Sequence, residues 1–190
     1  MIFLFLLLST ECFAGAKAPP KIEPPIDKSG PLRFEMKNVM PNDPSVDIVS
    51  KADALIRKTI FGKCFENKLL ARNDMIQTEG RTPKQVLEHV RSFSGQIRVV
   101  MYYRCMSFNL FKCPFPTSAV AFNEPPSRII NLNRAYFTTV TPPSRWGSTM
   151  LHEASHAIGG YTHDFEPTAR RPHSVPYVLN DVFEDCARYE

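Results

Sequence analysis

The chain has 190 residues, 43% of them hydrophobic and 22% charged, with 17 prolines, 5 cysteines and a formal charge of +4. This is the profile of one globular domain with enough apolar side chains for a core. The mild positive excess is dispersed among acidic residues without a basic run, so the charge pattern gives nucleic acid binding no support.

Ile2 to Leu8 form an apolar run too short to span a bilayer, followed by the small-residue pattern Ala14-Gly15-Ala16. Residues 1–16 therefore read as a secretory signal peptide, although no Lys or Arg precedes the run. Cys12 suggests a lipoprotein anchor only weakly, since Glu11 stands directly before it, and loss of Glu11 with the signal takes the formal charge from +4 to +5. No second stretch is apolar for long enough to span a membrane, so a soluble mature protein is expected. Residues 17–44 begin KAPPKIEPPIDKSGPL and read as a flexible, proline-rich leader, with the folded domain expected over residues 45–190.

Val46, Val49, Ala52, Leu55 and Ile56 keep a helical period and predict a first helix ending near Gly62, with KCFENKLLARNDMIQ continuing as a second helix or a loop. Thr82-Pro83-Lys84-Gln85 carries a capping-box pattern and predicts a helix from Pro83 to Ser94, ended by Gly95. The period then changes. Gln96 to Cys105, Ala119 to Phe122 and Arg128 to Leu132 are dense in β-branched and aromatic residues and predict strands. Val178, Leu179, Val182, Phe183 and Cys186 predict a last helix. The fold class expected is α+β, mainly helical with a small sheet.

Signal cleavage leaves Cys64, Cys105, Cys113 and Cys186, an even set that reads as two disulfides in an exported domain. The sequence leaves three connectivities open, with Cys64 to Cys186 and Cys105 to Cys113 favoured. The absence of a CxxC pair argues against a zinc site built from cysteines.

The stretch MLHEASHAIGGYTHD, Met150 to Asp164, carries the chemistry. His152 and His156 are four residues apart with Glu153 beside the first, so on a helix both imidazoles share a face and can bind one Zn²⁺. Trp146, Met150, Ala154 and Ile158, widened by Leu151, form an apolar stripe roughly opposite, which leaves the histidines facing a cleft. Pro142 and Pro143 suit the start of such a helix and Gly159-Gly160 its end. A catalytic zinc takes a third protein ligand, and His163 and Asp164 both stand just past the turn, with spacing unable to choose. Glu153 is positioned as a general base rather than a ligand. The plainer alternative is a pair of solvated histidines on an amphipathic helix.

HExxH, a glycine-containing turn and then Thr162-His163-Asp164 resemble the aspzincin metallopeptidases, the deuterolysin and peptidyl-Lys metalloendopeptidase group, whose pattern is HExxH then GTxDxxYG. The segments IINLNRAYF and LNDVFEDCARY look like the family's strand before the motif and its NADSYEYF segment. The resemblance implies a zincin-like domain with the sheet beside the HExxH helix, His152, His156 and Asp164 as zinc ligands, and a monomeric secreted endopeptidase acting on protein or peptide substrates. In lysine-specific members an Asp-x-x-Glu pair resembles an acidic specificity pocket, which maps to Asp181 and Glu184 and implies a preference for Lys after the scissile bond. An exposed acidic helix face is the plainer reading of that pair. Pro167 and Thr168 stand where the family has Tyr-Gly, so the tyrosine that assists the transition state is missing there, with Tyr161 and Tyr177 as substitutes. The competing expectation is a zincin-like binding or effector protein with little or no turnover.

Overall fold

A computed structural model describes residues 30–40, 42–102, 120–123, 127–164 and 166–189. The expected signal peptide, the leader up to residue 29 and both Cys105 and Cys113 lie outside the described residues. The described residues form five α-helices and one four-stranded mixed sheet.

The sheet runs in the order β1 (Arg33–Lys37), β2 (Gln96–Tyr102), β4 (Ile129–Asn133), β3 (Ala121–Asn123). β1, β2 and β4 are mutually parallel, and β3 pairs antiparallel with β4 at an edge. Ordered structure thus begins earlier than the leader reading placed it. In β1, Phe34 and Met36 point into the core between outward Arg33 and Glu35, the period-two alternation of a strand. Asp53 on helix α1 (Ser45–Ile60) fastens it: Oδ1 accepts from the Phe34 backbone N–H at 3.1 Å, and Oδ2 pairs with Arg57. A lone buried carboxylate would be costly; one with an N–H and a guanidinium as partners ties strand to helix.

Helix α1 buries Val49, Ala52 and Ile56 as its periodicity predicts, while Val46 stays on the surface. The segment read as helix or loop forms helix α2 (Lys63–Leu70) before running on as loop. Helix α3 (Pro83–Arg91) starts on the expected capping box: Gln85 N–H donates to Thr82 Oγ1 at 3.3 Å and Thr82 N–H to Gln85 Oε1 at 2.9 Å. It ends three residues short of Ser94, and Gly95 takes a left-handed φ of 80°.

Helix α4 (Pro143–Ala157) carries the HExxH motif and packs against α1, β3, β4 and helix α5 (Val175–Ala187). Its burial exceeds what the apolar stripe implied: every residue from Trp146 to Ser155 is buried, polar ones included. The cause is that α4 is packed on by both α5 and α1 as well as by β3 and β4. Gly147 permits the approach of α5, because a β-carbon there would lie 2.9 Å from the Phe183 ring. Arg145 and Ser148 both reach Glu184 on α5, at 2.5 and 2.6 Å. The Cys64–Cys186 disulfide joins α2 to α5 across 122 residues of chain, as expected. In the loop-closure account, a crosslink over so long a loop contributes about 4–5 kcal/mol. No helix among the described residues is long and apolar enough to cross a membrane.

Candidate metal centre

His152 and His156 stand one turn apart on α4, ring centroids 5.1 Å from each other. The helix ends at Ala157, and Gly160 takes φ 69°, the left-handed conformation that reverses the chain. The returning segment brings His163 back to the pair, its ring 5.3 Å from His152 and 4.8 Å from His156. One nitrogen from each of the three imidazoles lies within 4.8 Å of the others, an arrangement that could hold a metal ion.

Two of the rings are anchored through Nδ1. His156 Nδ1 lies 2.6 Å from the Tyr161 carbonyl oxygen, and His163 Nδ1 lies 3.0 Å from that of Asp164. A carbonyl only accepts, so each Nδ1 carries its hydrogen and each Nε2 is the unprotonated nitrogen of a neutral ring. The backbone of Pro176, at the start of α5, lies beside His152 and offsets part of the lowering of its pKa. Two imidazoles fixed in one tautomer by backbone acceptors match the second-sphere arrangement that orients histidine ligands. Burial is the main cause that lowers all three pKa values, furthest for His152, where the neighbouring His156 and His163 add to it. The rings are therefore neutral near neutral pH, the form that binds metal.

The three histidines brought together differ from the expected ligand set by one residue. The close group among the described residues is His152, His156 and His163; Asp164 is not part of it. Asp164 Oδ1 accepts from Gln77 Nε2 at 3.2 Å and Oδ2 from Thr168 Oγ1 at 2.6 Å, while its carbonyl orients His163. Neighbouring residues in a non-helical segment project in different directions, which is why spacing could not separate the two. Gln77 was not singled out in the sequence; it takes a left-handed φ of 54°, unusual for a non-glycine residue and found where surroundings enforce it.

Glu153 is only 6% exposed, and burial alone pushes its carboxyl up to about 8. It also adds to the rise of the Tyr102 phenol at the end of β2, for which burial is the main cause. Tyr177, on the first turn of α5, sets its ring edge-on to His152 at 4.7 Å and lies 5.1 Å from His163, with the Arg171 guanidinium 5.0 Å over its other side. Tyr161 has its hydroxyl engaged on α3, 2.9 Å from His89 Nδ1. Tyr177 is thus the one of the two tyrosines whose ring packs on the triad.

The acidic pair is not brought together as a pocket. Glu184 is occupied by Arg145 and Ser148. It lies seven residues beyond Tyr177, about 10 Å along the helix axis. Asp181 is exposed, within 3.4 Å of the Asn180 amide. His173 Nδ1 lies 2.6 Å from Asp74 Oδ2, and a bridge from Ile76 to Ser174 joins the same two segments.

Compared with protein-family models, curated proteins and solved structures, the chain finds no match in any of the three.

Proposed function

We propose that the protein is a zinc-dependent endopeptidase of zincin-like architecture, with His152, His156 and His163 as ligands and Glu153 as general base. The observation that carries this reading is the triad itself: three imidazoles with lowered pKa values, one nitrogen of each within 4.8 Å of the others, and two of the rings anchored through Nδ1 on a backbone carbonyl. The donor set fits the ion. Three imidazoles suit zinc, and three protein ligands leave one coordination position for water or substrate. Bound zinc would supply a Lewis acid that lowers the pKa of a water from 15.7 to about 7.

The chain's own groups supply the rest. Glu153, on the same helical turn as His152, takes the proton from a water attacking a peptide carbonyl and returns it to the departing amine nitrogen. A carboxyl held up to about 8 keeps its proton at neutral pH, and positive charge beside it brings that value down, so the group works near the pH where both forms are accessible. Tyr177 is the residue we assign to donate a hydrogen bond to the substrate carbonyl oxygen, in place of the tyrosine that the resemblance puts after residue 164. Among the described residues β3 is an edge of the sheet, packed beside α4. The disulfide and the apolar N-terminal run support an exported protein. With Glu184 occupied by Arg145, the reading carries no lysine preference.

The test is casein digestion by zinc-loaded protein, with and without a chelator. Chelator-sensitive cleavage, restored by zinc and absent from the Glu153→Gln protein, is expected. Zinc bound without cleavage across varied proteins would instead select the second reading, a binding or effector protein on the same scaffold, which Pro167 and Thr168 in place of Tyr-Gly favour.

A further inference from the structure

His156 is oriented by the carbonyl of Tyr161, and Tyr161 is held from two directions. Its backbone belongs to a turn with little slack. Tyr161 N–H closes back on Ser155 O at 3.2 Å, and Gly159 has no space for a side chain, since a β-carbon would lie 2.6 Å from Ser155 O and 2.7 Å from Tyr161 Cδ2. The tyrosine ring is 1% exposed, and its hydroxyl shares a 2.9 Å hydrogen bond with His89 Nδ1 on α3. The Arg81 guanidinium lies 5.5 Å over the same ring, and His89 is steadied edge-on by Phe93, centroids 5.4 Å apart. A continuous chain of contacts therefore runs from α3 through the Tyr161 phenol and carbonyl to the His156 ring. His89 itself lies outside the triad.

We infer that His89 is a positioning residue of the metal centre: by fixing the Tyr161 hydroxyl it keeps the Tyr161 carbonyl on His156 Nδ1, and so sets how tightly the three imidazoles grip a divalent cation. The inference rests on reading His152, His156 and His163 as ligands. It differs from a packing role for the His89–Tyr161 pair in what it moves. A packing role changes the stability of the metal-free protein; a positioning role changes affinity for the ion.

The experiment titrates the metal-free full chain with Zn²⁺ against a chromophoric chelator and records thermal melts of the metal-free protein alongside. Tyr161→Phe deletes one oxygen, His89→Ala deletes the partner, and His89→Asn restores a polar group near the Nδ1 position. Loss of a partner behind a ligating histidine weakens metal binding by about tenfold or more, so Tyr161→Phe and His89→Ala are each expected to raise the Zn²⁺ dissociation constant by about tenfold, and His89→Asn to recover most of it. If His89→Ala fails to fold, Tyr161→Phe decides. Zn²⁺ affinity unchanged in Tyr161→Phe, whatever happens to the melting temperature, overturns the inference while leaving the triad standing. Wild-type protein that binds no Zn²⁺ removes the triad reading and this one with it.

Discussion

Asp53 and Glu153 are buried to nearly the same depth, 7% and 6% exposed, on two helices that pack against each other. Asp53 is surrounded by groups that answer its charge: burial raises its pKa, while Arg57 and the Phe34 N–H oppose that rise. For Glu153, no group among the described residues offsets burial, which carries the carboxyl to about 8. One carboxylate is a fastening between strand and helix. The other is held in a state of raised energy on the helix that carries His152 and His156, the pattern expected where proton transfer is the task. Asp164, with Gln77 and Thr168, and Glu184, with Arg145 and Ser148, fall on the side of Asp53.

The strongest attempt to break this division is Glu153→Gln. Removing a general base lowers kcat by about 10³-fold, and zinc content is expected to stay at the wild-type level. The same substitution has a pH signature in the metal-free protein. The folded carboxyl near 8 lies above its ordinary 4.5, so the folded state holds a proton that the unfolded state releases. Wild-type stability should therefore fall as pH rises from 4.5 towards 8, and chemical denaturation of Glu153→Gln should show that loss removed. A parallel pH dependence in the two proteins would mean that Glu153 is not the strained group.

Next in size is the contrast of His163→Ala with Asp164→Asn. Loss of a ligand should weaken Zn²⁺ binding by about 100-fold or more, whereas Asp164→Asn, which keeps the backbone carbonyl behind His163, should change it by only about threefold. The reverse order would return Asp164 to the ligand set. Asp53→Asn sharpens the other side: a loss of about 2 kcal/mol in denaturant unfolding is expected, with turnover per folded molecule unchanged. Smallest is Glu184→Gln, expected to lower stability by about 1 kcal/mol while leaving cleavage before and after lysine equal in a peptide library. Lost lysine preference in that variant would revive the acidic pocket.

The legible parts of the sequence were those written in local spacing. His152 and His156 share a face because helical geometry puts residues four apart together, and Gly159-Gly160 marks the turn because a β-carbon at Gly159 would lie 2.6 Å from Ser155 O and Gly160 takes a φ of 69° that favours glycine. Thr82 and Gln85 announce α3 in the same way. The Cys64–Cys186 pair was favoured among three connectivities and is present. What local spacing does not encode was missed or left open. β1 was absorbed into a proline-rich leader, although Phe34 and Met36 alternate with Arg33, Glu35 and Lys37, because five residues carry too short a period to outweigh the composition before them. The surroundings of Asp164 depend on Gln77, 87 residues away, whose amide donates to the carboxylate. The role of Tyr177 depends on how α5 docks on α4, a tertiary fact with no signature in the segment itself.

The most direct test of the central claim is X-ray absorption at the zinc edge on the full chain loaded with one equivalent of Zn²⁺. Three imidazole nitrogens at about 2.0–2.1 Å, with one lighter oxygen scatterer completing the shell, are expected. A shell in which a carboxylate replaces one imidazole, or in which water supplies most of the ligands, would contradict the account.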